Sequence, residues 1–286
     1  MRTITSSLVY FFLAFSLQVA CQSDVYQSDK LAQKWELTGL DVPESVLPVP
    51  GSDILYVSNV GSKNSSDTGG SGFISVITKD GKIRDLKWST GLNSPKGMAI
   101  YGDKLYVSEV NRIAAIDLKS GKKLKEYPVE NALFLNDIAV DDKGVLYITD
   151  SRTGTVYKLE NDQVSIFVQS KDFNNPNGVV FRKGILYLGT GHNIIKIDPI
   201  TREIKEFMPS TGGVDGLAVP EDNLVLFSDW PGKVYVMKSN REKELLLDTK
   251  NSETFKTADF GYIPEEELIF IPTFFRNSVI CYKLSL

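Results

Sequence analysis

Six short apolar segments of the chain have a comparable residue in their second position. In chain order these residues are Glu44, Lys96, Asn136, Asn177, Asp215 and Ala258. Carboxylate and amide oxygens are ligands that Ca²⁺ and Mg²⁺ prefer, whereas zinc takes nitrogen and sulfur more readily. If the side chains converge, they form an oxygen-rich site in which two carboxylates repel unless a cation or a proton neutralises them.

Two other arrangements of the same residues stay open. Polar side chains in a channel can simply hydrogen-bond one another and trapped water. The ammonium of Lys96 could also neutralise Glu44 or Asp215 directly, or reach past a metal towards an anionic or carbonyl-bearing substrate.

The six segments recur at intervals of about 40 residues, and only the first interval is longer. They read PESVLPV (43–49), PKGMAI (95–100), LNDIAV (135–140), PNGVVF (176–181), VDGLAV (214–219) and TADFGY (257–262). Each leads through a turn into two further short strands, such as ILYVSN and FISVIT in the first unit. The long interval contains a Gly/Ser-rich loop at 61–72. This pattern predicts a β-propeller.

The last unit ends at SVICYKLSL and lacks a fourth, outer strand. WELTGL (35–40) can supply that strand from the other end of the chain and so close the ring without an unpaired edge. We therefore predict an all-β fold, a single six-bladed β-propeller over residues 34–286, with the last blade completed by an N-terminal strand.

The second strand of each blade runs back to the mouth where the first strand began. Its polar ends make Asn59, Glu109, Asp150 and Asp229 candidate substrate-binding residues, and the 61–72 loop leaves the same mouth as a candidate lid. His192 is the only histidine, and no GxSxG motif accompanies it. A catalytic triad is therefore disfavoured, and His192 is predicted at the rim with a possible substrate contact.

The N-terminus has the pattern of an export signal. Arg2 precedes the apolar stretch LVYFFLAF, and LQVAC ends at Cys21. We predict a signal peptide at 1–20, a polar tether at 21–33 and acylation of Cys21. The alternatives are plain secretion and a disulfide between Cys21 and Cys281. After processing, the mature protein would be a periplasmic or cell-envelope lipoprotein, or else a secreted protein. Its only contact with the membrane would be the lipid anchor.

The net charge of −4 and the absence of a basic run exclude a nucleic-acid partner on electrostatic grounds.

The PES, LND, PNG and VDG openings at blade spacing resemble the senescence marker protein/gluconolactonase family of six-bladed propellers. The resemblance implies a divalent metal held by Glu44, Asn177 and Asp215, with Asn136 contacting the substrate. Of the hard cations that suit this oxygen set, Ca²⁺ is favoured and Mg²⁺ is the alternative. Two positions depart from the family pattern. The first segment reads ESVLPV instead of an EGPxW-like sequence, and Phe134 stands where an arginine is frequent.

The resemblance implies an exported, metal-dependent hydrolase that opens a lactone or a related ester, a small-molecule substrate. Asp215 would assist as general base, and Lys96 would steady the oxyanion or a substrate carboxylate. The alternative is a non-catalytic propeller that binds a ligand or a protein partner. The two departures favour the alternative, and the retained Glu, Asn, Asn and Asp column favours the enzyme.

Overall fold

The structure, a computed structural model, describes residues 25–238 and 242–286. Two strands precede the first blade, β1 (Tyr26–Gln27) and β2 (Leu31–Thr38). Blade 1 contains β3 (Pro43–Pro48), β4 (Ile54–Asn59), β5 (Gly72–Thr78) and β6 (Ile83–Leu92). Blade 2 contains β7 (Met98–Tyr101), β8 (Lys104–Ser108), β9 (Arg112–Asp117) and β10 (Lys123–Pro128). Blade 3 contains β11 (Leu135–Val140), β12 (Leu146–Asp150), β13 (Thr155–Glu160) and β14 (Gln163–Gln169).

The second half of the ring repeats this arrangement. Blade 4 contains β15 (Val179–Arg182), β16 (Ile185–Gly189), β17 (Ile194–Ile197) and β18 (Ile204–Met208). Blade 5 contains β19 (Leu217–Glu221), β20 (Leu224–Asp229), β21 (Lys233–Lys238) and β22 (Lys243–Asp248). Blade 6 contains β23 (Gly261–Ile263), β24 (Leu268–Pro272) and β25 (Ser278–Leu284). Short 3₁₀ turns lie at Lys171–Phe173, Pro264–Glu266 and Phe274–Arg276.

Consecutive strands of every blade pair antiparallel, so the fold is the predicted six-bladed β-propeller. The apolar core lies between neighbouring blades. Six clusters of buried aliphatic and aromatic side chains each join two adjacent blades, including the pair formed by blades 6 and 1. Both faces of each inner strand are buried, because the strand packs between two neighbouring blades. This burial explains the nearly continuous apolar sequence of the inner strands.

The ring closes as the sequence predicts, because β2 pairs antiparallel with β25 as the outer strand of blade 6. Trp35 lies opposite Cys281 in this pairing. Its indole Nε1 donates a 2.8 Å hydrogen bond to the carbonyl of Lys79 in blade 1, and its ring packs near Phe270 of blade 6. One side chain thus fastens the first and last blades together.

Part of the predicted 21–33 tether is sheet instead. Tyr26–Gln27 pairs with β22 as a fifth strand of blade 5, and β2 begins at Leu31. Leu31 is buried in the core between blades 5 and 6, whereas residues 32–34 face solvent. The polar, exposed face of an outer strand has the composition of a linker, and this explains the difference.

The predicted signal peptide and Cys21 lie outside the described residues. Cys281 is buried in β25, and burial raises the pKa of its thiol to about 12. Over residues 25–238 and 242–286, no helix has the length and apolarity needed to cross a membrane.

Candidate site in the central channel

The predicted column of polar residues does converge where the inner strands begin. Glu44, Lys96, Asn136, Asn177 and Asp215 are all buried there. Neighbouring strand entries are joined directly: Asn177 Nδ2 donates to Asp215 Oδ1 at 2.6 Å, and the backbone N–H of Gly97 donates to the carbonyl of Asn136 at 3.1 Å.

Small residues allow the inner strands to approach this closely. A β-carbon at Gly178 would collide with the carbonyl oxygen of Asp215, and one at Gly97 would collide with Asp137. The Asn-Gly start of the fourth blade therefore fits a crowded channel wall.

The Glu44 carboxyl lies in a buried environment that disfavours its charged form. Burial raises the pKa of its carboxyl well above the ordinary range, and the nearby carboxyls of Asp215 and Asp259 raise it further. Its Oε2 is buried and has no hydrogen-bond partner among the described residues. An unpaired carboxylate oxygen in a buried site is costly, so a cation or a proton is needed at this position.

The pKa of the Asp215 carboxyl is raised as well. Burial and then Asp259 raise its pKa to about 7, while the hydrogen bond from Asn177 acts in the opposite direction.

Two further carboxyls belong to the group and were absent from the predicted site. Asp137 and Asp259 follow the column positions of blades 3 and 6, where the other blades have serine or glycine. Asp137 accepts the backbone N–H of Ile138 at 2.7 Å and of Val179 at 2.9 Å. Asp259 accepts the hydroxyl of Ser45 at 2.5 Å. The sequence signal for these two carboxyls was an acidic residue at a position where the other four blades have serine or glycine.

Burial is also the main cause of the altered pKa values of these two carboxyls. It raises the pKa of Asp259 to about 7 and that of Asp137 well above the ordinary range. Four carboxyls thus share one poorly solvated channel, and their mutual repulsion favours bound cations.

The donor set fits a hard divalent cation. Glu44, Asn177 and Asp215 offer two carboxylates and an amide at one mouth, and the Glu44 oxygen without a partner is available. No three His, Cys, Asp or Glu side chains in the described ranges are arranged as a metal-binding group. The predicted set draws its third ligand from an asparagine, an amide donor that Ca²⁺ accepts.

Lys96 lies within the channel wall and makes no direct ion pair in the part of the chain that the structure describes. Its Nζ donates to the carbonyl of Ser94 at 3.1 Å and stands 4.3 Å from the centre of the Phe134 ring. Burial lowers its pKa to about 8, and Glu44 and Glu109 oppose that shift. Arg152 covers Phe134 as well, with its guanidinium carbon 4.7 Å from the ring centre. Phe134 thus packs against two cations, Lys96 and Arg152.

The 61–72 loop reaches from blade 1 to the entries of blades 2 and 3. Ser94 Oγ donates to the carbonyl of Asp67 at 2.8 Å, and Arg152 Nη2 donates to Ser66 Oγ at 3.2 Å. Ser94 and Arg152 are the same residues that contact Lys96 and Phe134, so the loop lies over this part of the mouth. Its position supports the predicted lid.

Three of the predicted substrate-binding residues hold loops instead. Asn59 accepts the backbone N–H of Asp41, Glu109 pairs with Arg112 at 2.6 Å, and Asp150 accepts the N–H groups of Leu133 and Phe134. All three are fully buried, which leaves no side-chain surface for a substrate. Strand ends need polar caps, and this explains why their composition resembles a binding ring.

Asp229 accepts the N–H groups of Gly232 and Lys233 in the turn after β20. Burial raises its pKa, and its charge in turn raises that of Asp215. It therefore lies near the column and holds a turn at the same time.

His192 is exposed, and its Nε2 lies 3.0 Å from Asn174 Nδ2, so it stays at the predicted rim.

The side of the mouth next to blade 6 is apolar. Ala258, in the sixth column position, packs with Val42, Val60 and Phe274. Trp230 lies edge-on to Phe274 with ring centres 4.6 Å apart, and it remains 45% exposed. A site at this mouth would thus have polar and cationic groups on one side and aromatic rings on the other.

Comparisons with known proteins support the architecture. Neither a protein-family profile nor a curated protein sequence matches the chain. Among solved structures, a gluconolactonase from Xanthomonas campestris is 16% identical, with 89% of each chain covered and a TM-score of 0.64. A catalytically inactive variant of virginiamycin B lyase from Staphylococcus aureus with quinupristin is 18% identical, covering 89% of this chain and 99% of that one at a TM-score of 0.61. A chain of a nidogen/laminin complex structure is 15% identical, covering 77% of this chain and 88% of that one at a TM-score of 0.61. The chain therefore is a six-bladed β-propeller of the architecture found in gluconolactonase and streptogramin B lyase structures.

Proposed function

We propose that this protein is an exported, metal-dependent hydrolase that opens a lactone or a related ester. The observation that carries the proposal is the buried Glu44 carboxyl, whose Oε2 has no partner, beside the hydrogen-bonded pair of Asn177 and Asp215. The structural likeness to a gluconolactonase supports the fold of such an enzyme.

Glu44, Asn177 and Asp215 would hold the cation, with Ca²⁺ favoured over Mg²⁺. A divalent cation supplies Lewis-acid chemistry, polarising an ester carbonyl and acidifying water. Asp215 is suited to receive a proton, because burial and neighbouring charge keep its carboxyl more basic than usual. A bound cation would lower that basicity, because its positive charge favours the ionised carboxylate.

The substrate would be positioned from the polar side of the mouth. Asn136 Nδ2 donates to Ser151 Oγ at 3.2 Å, and Ser151 Oγ donates to the carbonyl of Pro176 at 2.8 Å, so the amide is held in a fixed orientation. Lys96 would donate to the oxyanion or to a substrate carboxylate. The 61–72 loop would cover the bound substrate from the side of blades 2 and 3.

The decisive experiment combines metal analysis with a hydrolysis assay. Purified protein is expected to carry one divalent cation per chain and to hydrolyse members of a panel of lactones and aryl esters, with activity lost on chelation and restored by Ca²⁺. Asp215→Asn should lower kcat/KM by at least about a hundredfold. Asp222→Asn, an exposed carboxyl on the turn before β20, is the matched control and should change neither cation content nor rate. Wild-type protein without a stoichiometric cation, or hydrolysis unchanged in Asp215→Asn, would exclude the proposal.

A non-catalytic binding module is the second candidate, favoured by the exposed Trp230 beside Phe274 at the same mouth. Aromatic residues exposed at a rim are common anchors for ligands and protein partners. In that case no lactone or ester is turned over, and Trp230→Ser weakens partner binding without affecting cation content.

A further inference from the structure

A second cavity occupies the end of the channel opposite to Glu44. Its volume is about 670 Å³, within the range of small-molecule sites. It is bounded by the far ends of inner strands and by the turns that follow them, including Pro48, Pro220 and Ile263. None of the five polar column residues lines it, although Asp137 and Asp259, the carboxyls next to the column, do.

The walls of this far cavity are apolar. Met98, Ile138, Val179 and Leu217 line it and are themselves buried. Two aromatic residues, Phe260 and Tyr262, add to the wall from blade 6. A ligand in this space would transfer its apolar surface out of water onto these side chains.

The charge of the far cavity has a single sign. Asp137 and Asp259 line its inner end, and Glu265 and Glu266 line its rim, whereas no Lys, Arg or His contributes to the lining. Both oxygens of Asp137 accept backbone N–H groups. Asp259 differs, because Oδ2 accepts the Ser45 hydroxyl and Oδ1 accepts no hydrogen bond from any residue that the structure describes.

We propose that the far cavity binds an organic ammonium ion that carries an apolar substituent. The ammonium group donates to Asp259 Oδ1, the apolar part packs against Met98 and Leu217, and the rings of Phe260 and Tyr262 add the attraction of an aromatic face for a cation. A bare metal ion fits this end less well, since it would need several oxygen ligands where the walls offer hydrocarbon. An anion would find only acidic side chains among the ionisable residues of the lining, with Glu266 alone paired to a cation, Lys79.

The test uses ligands of one chain length that differ in charge. Calcium-saturated protein is titrated calorimetrically with n-hexylammonium, with n-hexanol and with hexanoate. The expected result is measurable binding of hexylammonium that is at least about tenfold tighter than that of hexanol, and no binding of hexanoate. Equal affinity for hexylammonium and hexanol would overturn the proposal, and this comparison needs no variant to fold.

Variants then locate the site. Asp259→Asn keeps the size of the side chain and should weaken hexylammonium binding about tenfold or more, while its affinity for hexanol stays within about twofold of that of the wild type. Glu203→Gln removes one exposed charge on blade 4 outside the lining of the cavity and should change the affinity less than about twofold. Loss of binding in Asn177→Ala with none in Asp259→Asn would place the ligand at the other mouth and contradict the proposal.

Discussion

Asn177 Nδ2 donates a 2.6 Å hydrogen bond to Asp215 Oδ1, joining the entries of blades 4 and 5. The bond fixes the orientation of both the Asn177 amide and the Asp215 carboxyl. It also makes the pair sensitive to charge, because a second carboxylate at position 177 would lie at hydrogen-bond distance from the first.

Replacing Asn177 by Asp therefore gives a prediction with two opposite parts. In chelated protein at pH 8, Asn177→Asp should lower the free energy of unfolding by about 2 kcal/mol or more, because two buried carboxylates repel. Saturating Ca²⁺ should restore most of that loss. Urea unfolding with and without Ca²⁺ measures both parts, and Asn177→Ala is the control that removes the hydrogen bond without adding charge. A Ca²⁺-independent loss in Asn177→Asp would contradict a cation at this position.

The pH dependence of the chelated protein follows from the raised pKa values of Asp215 and Asp259, both about 7 in the folded chain. A carboxyl with a raised folded pKa binds more protons when folded than when unfolded, so its contribution to stability is present at acidic pH. That contribution is lost as pH rises from about 4 to about 7, with a slope of up to about 1.4 kcal/mol per pH unit for each group.

Urea unfolding of chelated protein at pH 5 and pH 8 should therefore show lower stability at pH 8. Asp259→Asn should flatten this dependence, because the amide does not titrate. A chelated wild type that is equally stable at both values would show that the carboxyls are not buried as described.

The closure of the ring depends on Trp35, whose indole donates to the Lys79 carbonyl and packs near Phe270. Trp35→Ala should lower the free energy of unfolding by about 3 kcal/mol, and Trp35→Phe by about 1 kcal/mol through loss of the hydrogen bond. Chemical denaturation measures both. Trp230→Ala, at the mouth and 45% exposed, is the matched control and should cost less than Trp35→Ala.

The 61–72 loop should loosen without global unfolding when its contacts are removed. The Ser94→Ala, Arg152→Ala double variant loses the bonds to Asp67 and Ser66. Amide exchange in the loop should speed up at least about tenfold, with a change in global stability below about 1 kcal/mol. Hydrogen exchange followed by mass spectrometry reports both quantities. Unchanged exchange would mean that other contacts hold the loop.

Substitution of Asn136 should lower the rate of hydrolysis without changing the affinity for the cation. Asn136→Ala removes the amide that donates to Ser151, and under the proposed function it should lower kcat/KM by about tenfold or more while Ca²⁺ affinity stays within about twofold. Ser151→Ala, which removes the residue that orients the amide, should give a smaller loss in the same direction. A parallel fall in Ca²⁺ affinity would instead make Asn136 a ligand.

Much of this architecture was readable from the chain. The repeat of about 40 residues predicted six blades, and the missing outer strand after SVICYKLSL predicted closure by the segment around Trp35. These inferences succeed because strand period and blade repeat are local properties. The column headed by Glu44, Asn177 and Asp215 was equally readable, because equivalent positions in successive blades must meet at one mouth.

The tertiary structure decided what each polar group does. Asp150 and Glu109 looked like members of a binding ring, yet their oxygens are taken by loops, since only the folded chain shows which N–H groups lie within reach. Asp259 was not among the predicted site residues, yet it accepts a hydrogen bond from Ser45 across the closure of the ring and lines a cavity at the far end. Contacts between residues about 214 positions apart depend on how the ring closes, and no local pattern contains them.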